Sequence, residues 1–183
     1  PVRAMVVGIP NVGKSTFIKR FMETMVIPNI DNVYRRERAR DELPQSGSGR
    51  TIMTAEPKFV PEEAAQIQLP DGASFSVRLI DCVGYMIDGA AGHMEEDAER
   101  MVKTPWSEEE IPFTQAAEIG TDKVMRDHST IGLVITTDGS IGELPRSNYL
   151  GAEEKTILAL KKSGKPFLVL VNSQKPYSCL LYT

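Results

Sequence analysis

A short segment near the start of the chain combines two glycines with a lysine and a hydroxyl side chain. The segment GIPNVGKS, from Gly8 to Ser15, fits the pattern G-x-x-x-x-G-K-[ST] at every fixed position. The glycines allow the backbone to curl so that successive N–H groups point at one phosphate, and the following helix adds its positive N-terminal end. In this pattern the lysine reaches the β- and γ-phosphates, while the hydroxyl binds magnesium. The segment therefore predicts a site for a nucleoside triphosphate and Mg2+.

The nucleotide contacts predicted from this segment extend into the first turn of the helix that follows it. We expect Lys14 to be catalytic as well as phosphate-binding, and Ser15 to be a magnesium ligand. The predicted nucleotide-binding residues of this segment are Gly8, Asn11, Val12, Gly13, Lys14, Ser15 and Thr16.

A second candidate is the tetrapeptide that runs from Asp81 to Gly84 in the pattern D-x-x-G. It follows a predicted strand, and an aspartate at a strand end can hold magnesium through water. The N–H of Gly84 can contact the γ-phosphate. Such a tetrapeptide is by itself only a common turn, but downstream of a phosphate-binding loop it favours a nucleotide site. We therefore expect Asp81 to be catalytic and metal-binding, and Gly84 to bind the nucleotide.

The third candidate is Thr54, which lies between the first predicted helix and the second predicted strand. A threonine at this place can bind magnesium through its hydroxyl and sense the γ-phosphate through its backbone. Thr51 is an alternative for the same role, and either could be an ordinary loop residue. The sequence predicts Lys14, Thr54 and Asp81 as catalytic residues, and Ser15, Thr54 and Asp81 as metal ligands.

Buried strands that alternate with helices position these candidates. The pattern predicts an α/β P-loop NTPase fold, with a mostly parallel sheet, one antiparallel strand and helices on both faces. Asp71-Gly72 predicts a hairpin between the second and third strands. The expected strands are Val2–Ile9, Lys58–Leu69, Ser74–Ile80, Ile131–Thr136 and Pro166–Val171. Helices are expected from Thr16 to Val26, from Phe113 to Asp127 and from Ala152 to Lys162. Long irregular segments are expected from Pro28 to Met53, with one short helix, and from Tyr85 to Ile111.

The order of these motifs resembles the translation-factor-related class of P-loop GTPases, with two departures. The segment from Asn172 to Lys175 reads Asn-Ser-Gln-Lys, where that class has Asn-Lys-x-Asp to bind guanine. Lys175 offers only donors and cannot accept from guanine, so the sequence favours ATP by elimination, with Asn172 and Lys175 at the base. Tyr85 stands where many members have a water-orienting glutamine. Hydrolysis should therefore be slow, or Thr54 should position the water.

Longer segments are similar to a more specific family. GIPNVGKSTFIKRFMETMVIPNIDNVYRRERARDELPQSGSGRTIMTAEPKFVPEEA, LIDCVGYMIDGAAGHMEEDAERMVKTPW and VNSQKPYS resemble the spore coat morphogenetic ATPases of endospore-forming bacteria, the stage IV sporulation protein A family. The resemblance implies that ATP hydrolysis drives self-assembly into a coat basement layer. This layer covers the forespore surface in the mother-cell cytoplasm. It also implies a small amphipathic membrane-anchoring peptide and other spore coat proteins as partners. The family protein is longer, and Cys179–Thr183 do not continue its sequence, so we expect a single domain over residues 1–183, truncated at its C-terminal end.

Composition and charge argue against several classes of protein. The net charge of −4 argues against a general nucleic-acid binder. No apolar run reaches the roughly 20 residues needed for a membrane span. Two cysteines without metal-type spacing, Cys82 and Cys179, favour a reducing cytosolic setting. Two other functions stay open: a regulatory GTPase of ribosome-assembly type, and a catalytically silent nucleotide-binding scaffold.

Overall fold

The computed structural model describes residues 2–8, 12–44, 55–68, 71–87, 89–90, 93–95, 98–141 and 144–177. The strands are β1 (Val2–Gly8), β2 (Lys58–Gln68), β3 (Ser74–Asp81), β4 (Met94–Glu95), β5 (Ala98–Glu99), β6 (Met101–Thr104), β7 (Ser107–Pro112), β8 (Ile131–Thr137) and β9 (Phe167–Asn172). The main sheet has the strand order β2-β3-β1-β8-β9. Only β2 runs antiparallel to its neighbour in this sheet. The predicted mostly parallel sheet with one antiparallel strand is therefore confirmed.

The helices are α1 (Lys14–Phe21), α2 (Val33–Asp41), α3 (Phe113–Lys123) and α4 (Ser147–Ser163). A π-helical turn over Met22–Val26 and a short 3-10 turn over Ile27–Asn29 prolong α1, and a π-helical turn over Val124–His128 prolongs α3. The last helix begins at Ser147, earlier than the predicted Ala152. Within the described part of the chain, no helix has both the length and the apolar content to cross a membrane.

Strand β1 lies in the middle of the sheet, and its side chains alternate between two layers of helices. Ala4 and Val6 belong to a buried cluster with Ile18 of α1. Met5 and Val7 belong to a second cluster, which includes residues of α4 and of the turn after α3. A strand that is covered on both faces consists of a continuous apolar run. The predicted helices on both faces are confirmed.

Parallel pairing brings the ends of four strands to one edge of the sheet. Asp81, the last residue of β3, pairs with Val6 of β1. Gly8, the last residue of β1, pairs with Ile135 of β8, and the ends of β8 and β9 pair through Thr137 and Asn172. In open α/β sheets, ligands bind outside the carboxyl ends of the strands. The motifs found in the sequence therefore meet at the edge where a ligand is expected.

In the described part of the segment from Pro28 to Met53, residues 28–44, the structure has the short helix that the sequence predicted. Helix α2 begins after Asn32, whose side chain accepts a hydrogen bond from the Arg35 N–H at 3.0 Å. Arg38 binds Glu42 of the same helix region at 3.0 Å and also reaches Glu62 of β2. These contacts fasten the helix to the antiparallel edge strand of the sheet.

The segment from Tyr85 to Ile111 is more regular than its sequence suggested. It contains two small hairpins, β4 with β5 and β6 with β7. The prediction of irregular structure was wrong because these strands pair with each other and the acidic residues of β7 are exposed, so they lack the apolar run of a buried strand. The second hairpin is fixed to α3, because Val102 and Ile111 pack on a buried cluster that includes Phe113, Ala116 and Ala117 of this helix.

Candidate nucleotide-binding site

Two glycines of the predicted phosphate loop occupy places that exclude a side chain. A Cβ atom on Gly8 would collide with the carbonyl oxygen of Ile135 on the neighbouring strand. Gly13, with φ +95°, has a left-handed backbone conformation, and its Cβ would lie 2.7 Å from the Asn172 amide nitrogen. Close packing and an unusual backbone angle therefore explain the two fixed glycines of the motif. Asn11, a predicted nucleotide contact, lies outside the described residues.

The lysine and the residues around it lie where α1 begins. Val12 is fully buried, Thr16 is exposed on the first helical turn, and Lys14 is partly buried. The ammonium of Lys14 donates to the Gly8 carbonyl at 3.2 Å. Burial lowers the pKa of Lys14, while the nearby Asp81 carboxylate acts in the opposite direction. A cation that has lost part of its hydration binds an entering phosphate more favourably than a solvated lysine would.

Ser15 and Asp81 come from different elements and meet beside Lys14. The Ser15 hydroxyl lies 3.5 Å from a carboxylate oxygen of Asp81. Burial raises the pKa of Asp81, and the Lys14 charge and the Ser15 hydroxyl partly offset this effect. A hydroxyl and a carboxylate oxygen are hard ligands of the kind Mg2+ binds, usually together with substrate phosphates. These two side chains therefore fit the predicted magnesium role.

The second glycine motif lies against the first. A Cβ atom on Gly84, at φ +86°, would collide with the Gly8 carbonyl oxygen. The N–H of Gly84 donates to the Thr121 hydroxyl of α3 at 3.3 Å. The next side chain is also anchored on α3, because the Tyr85 hydroxyl donates to Asp122 at 2.7 Å. The structure thus brings Gly84 to the phosphate loop.

The segment after β9 reaches the phosphate loop from the other side. The Asn172 amide donates to the Val12 carbonyl at 2.9 Å. The Ser173 hydroxyl donates to a carboxylate oxygen of Asp138 at 2.6 Å. Lys175 is exposed, and its backbone N–H donates to the Ser173 hydroxyl at 3.0 Å. Asn172 therefore contacts the predicted loop directly, whereas Lys175 is linked through Ser173 to Asp138.

The sequence did not predict two residues of this region, Thr121 and Asp138. One predicted residue, Thr54, lies outside the described residues. Thr121 lies in the middle of α3, where no local motif marks it. Asp138 follows the buried strand β8 at the ligand edge of the sheet, and that position was the available signal. Thr54, predicted as catalytic residue and metal ligand, and its alternative Thr51 lie outside the described residues.

Comparison of the sequence with known protein families identifies the family of the chain. The family model described as "Stage IV sporulation protein A, ATPase domain" matches residues 2–180. The chain belongs to this family.

Full-length relatives of the family are closely similar to the chain. Stage IV sporulation protein A of Bacillus anthracis is 59% identical over 172 residues, and that of Bacillus subtilis (strain 168) is 58% identical over 172 residues. The corresponding protein of Clostridioides difficile (strain 630) is 55% identical over 173 residues. Each alignment covers 94% of this chain but only 35% of the relative. The chain thus spans about a third of the length of the stage IV sporulation protein A relatives that it matches.

Membership of the stage IV sporulation protein A family confirms the resemblance and the P-loop α/β fold that the sequence predicted. It implies that the chain is the ATPase domain of a sporulation protein and binds a nucleotide. The assignment of individual residues to phosphate, base and magnesium stays a prediction. Its basis is the geometry of Lys14, Ser15, Asp81 and Asn172.

Proposed function

We propose that the chain binds ATP with Mg2+ and hydrolyses it to ADP and phosphate. The observation that carries the proposal is the meeting of Lys14, Ser15 and Asp81 at the carboxyl edge of the parallel sheet. A cation and a hydroxyl at the start of α1, beside a carboxylate at the end of β3, are groups that phosphoryl transfer uses, because its catalysis is mostly positioning and charge stabilisation. The ATPase domain family supports the same reaction.

Each residue has a distinct role in this proposal. Lys14 binds the β- and γ-phosphates and stabilises the charge that develops between them. Ser15 and Asp81 hold Mg2+, with Thr54 as a further ligand. Magnesium, when bound, neutralises phosphate charge. The N–H of Gly84 contacts the γ-phosphate, and Thr54 positions the attacking water by hydrogen bonding. Hydrolysis is slow, because Tyr85 stands where many P-loop GTPases have a water-orienting glutamine.

The base is adenine in this proposal. Lys175 has only donors, and the N1–H and N2 amine of guanine are donors too, so guanine finds no acceptor at this position. Adenine lacks both donors and loses nothing. The amide of Asn172, fixed on the Val12 carbonyl, keeps its oxygen available as an acceptor. The acceptor oxygen of Asn172 suits the exocyclic amine of adenine.

At the level of the full-length protein, we propose that hydrolysis drives self-assembly of a coat basement layer. The relatives carry the name stage IV sporulation protein A, and the family resemblance supports a layer on the forespore surface in the mother-cell cytoplasm. A small amphipathic membrane-anchoring peptide and other spore coat proteins are the proposed partners. Because this chain spans 35% of its relatives, assembly is proposed for the whole protein.

Equilibrium competition of ATP against GTP, with Mg2+ and the chain in solution, tests the nucleotide assignment. Lys14→Ala should abolish binding of both, because the loop loses its only lysine. Lys19→Ala, which removes a lysine of the same helix α1 from the groove beside α2, is the matched control and should leave binding unchanged. Equal or tighter binding of GTP would contradict the adenine assignment and favour the regulatory GTPase.

Phosphate release separates an ATPase from a silent scaffold. The scaffold has one specific observation in its favour: Tyr85 stands in the place of the glutamine and is anchored on Asp122. If ATP binds but phosphate release from the chain is no faster than from Lys14→Ala, the chain is a scaffold. Faster release that requires Mg2+ supports the proposed reaction.

A further inference from the structure

The carboxylate of Asp138 is the centre of a hydrogen-bond network beside the segment that follows β9. One oxygen accepts from the Ser173 hydroxyl at 2.6 Å. The other accepts from the Ser140 hydroxyl at 2.5 Å and from the Ser140 N–H at 2.9 Å. A hydroxyl has one donor and two acceptor sites. Each serine has therefore given its donor to Asp138 and has acceptor sites left.

Both serine hydroxyls accept a backbone N–H of the same short segment. Gln174 donates to the Ser140 hydroxyl at 3.0 Å, and Lys175 donates to the Ser173 hydroxyl at 3.0 Å. Two parallel relays thus run from consecutive backbone amides, through one hydroxyl each, to one carboxylate. Removal of the carboxylate would free both hydroxyls to rotate, because each would lose the acceptor that orients its donor.

The same segment is fixed on its other side to the phosphate loop. The Asn172 amide binds the Val12 carbonyl at 2.9 Å, and Gly13 leaves room for that amide because it has no Cβ atom. The segment 172–175 is therefore held between the phosphate loop and Asp138. Its position relative to a bound nucleotide depends on both attachments.

The charge of Asp138 suits an acceptor role. Hydrogen bonds from Ser140 and Ser173 lower the pKa of this carboxyl to about 2. The group is therefore ionised at neutral pH and offers acceptor sites only. Asparagine at this position would present a donor to one of the two hydroxyls and could orient only the other.

We propose that Asp138 is a positioning residue for the adenine base. By orienting Ser140 and Ser173, it holds the backbone of residues 173–175 in place beside the phosphate loop. Affinity for ATP then gains a contribution from the base as well as from the phosphates. The inference rests on the proposed nucleotide function. It assigns the base-dependent part of the ATP affinity to Asp138, which directly follows β8.

The test compares ATP with inorganic tripolyphosphate, which has the phosphates but no base. Dissociation constants for both, with Mg2+, are measured on the unchanged chain, Asp138→Asn and Asp138→Ala. The loss of one ordered hydrogen bond should weaken ATP binding about fivefold in Asp138→Asn. The loss should be larger in Asp138→Ala, and tripolyphosphate binding should be unchanged in both.

Asp71→Asn is the matched control. Its exposed carboxylate also accepts the backbone N–H of the residue two positions later, but in the β2–β3 turn. It should leave both affinities unchanged. Ser173→Ala removes one relay while Asp138 stays, and it decides the question if the Asp138 variants do not fold. The single tryptophan of the chain, Trp106, reports folding by its fluorescence.

Three results would overturn the inference. Equal weakening of ATP and tripolyphosphate in the Asp138 variants would indicate a general structural role. Unchanged ATP affinity in those variants and in Ser173→Ala would exclude any role for the network. Failure of the unchanged chain to bind ATP more tightly than Lys14→Ala does would overturn the nucleotide function itself, and this inference with it.

Discussion

The backbone N–H of Gly84 donates to the hydroxyl of Thr121 at 3.3 Å, although the two residues belong to different elements. Thr121 is only 1% exposed, so this contact is shielded from water. A backbone N–H has one hydrogen to donate. Contact between Gly84 and a γ-phosphate oxygen therefore requires that the amide leave Thr121. This competition should favour the form of the loop that does not contact the γ-phosphate.

Thr121→Val should shift nucleotide preference toward ATP. Valine has nearly the same shape but no acceptor, so the Gly84 N–H loses its partner unless a γ-phosphate supplies one. Because a hydrogen bond contributes about 1 kcal/mol, the ratio of ATP affinity to ADP affinity should rise about fivefold. Thr121→Ser keeps the hydroxyl and should keep the ratio. An unchanged or lower ratio in Thr121→Val, measured by competition binding, would contradict the competition between Thr121 and phosphate.

The phosphate loop could be predicted because every group it needs is contiguous. Gly8 ends β1 and Gly13, Lys14 and Ser15 lie at the start of α1, so the four residues fall within eight positions, and their spacing alone predicts a phosphate-binding loop. Asp81 was recognisable for a related reason, since it stands at the end of a predicted strand and begins the pattern D-x-x-G. Local pattern thus sufficed where a recognisable motif, G-x-x-x-x-G-K-[ST] or D-x-x-G, marks the end of a strand.

Thr121 and Asp138 could not be found in this way. Thr121 lies 37 positions from Gly84 in sequence, and Asp138 lies 35 positions from Ser173. Their roles depend on how α3 packs beside the loop and on which strand neighbours β9. The β6–β7 hairpin was missed for another physical reason: among the described residues its strands pair with each other alone, and they expose acidic residues, so they carry no buried-strand pattern.

Gly8→Ala and Gly151→Ala should have opposite effects on stability. Alanine at position 8 would place its Cβ against the Ile135 carbonyl, and the strand would have to shift at a cost of about 1–3 kcal/mol or more. Gly151 lies inside α4, and beyond its own helical turn no atom of the described residues lies within 4 Å of a new Cβ, so alanine there should stabilise by about 0.5–1 kcal/mol. Urea unfolding of the three chains measures both. Equal stability of the two variants would contradict the collision at Gly8, because it would show that the strand yields freely there.

Asp81→Asn should change how stability depends on pH. Burial, which is only partly offset by Lys14 and Ser15, raises the pKa of Asp81 in the folded chain. A raised folded pKa means that the folded state holds the proton more tightly than the unfolded state. The contribution of Asp81 is therefore fully present below the unfolded value of about 4 and is lost as pH rises through the folded pKa. Since asparagine does not titrate, the variant should gain stability relative to the parent as pH rises above about 4 and through the raised pKa of folded Asp81.

Asp138→Asn provides the control of opposite sign for that measurement. Hydrogen bonds lower the pKa of Asp138 to about 2, so its contribution is present above the unfolded value of about 4 and is lost as pH falls through about 2. The parent should therefore gain stability relative to Asp138→Asn as pH rises from about 2 to 4, and then keep a constant margin. Urea unfolding at closely spaced pH values gives both differences. If the Asp81→Asn difference followed the Asp138→Asn pattern, attraction by Lys14 would outweigh burial at Asp81.

Phosphate release from Asp81→Asn should fall in either case, because an amide binds Mg2+ less well than a carboxylate.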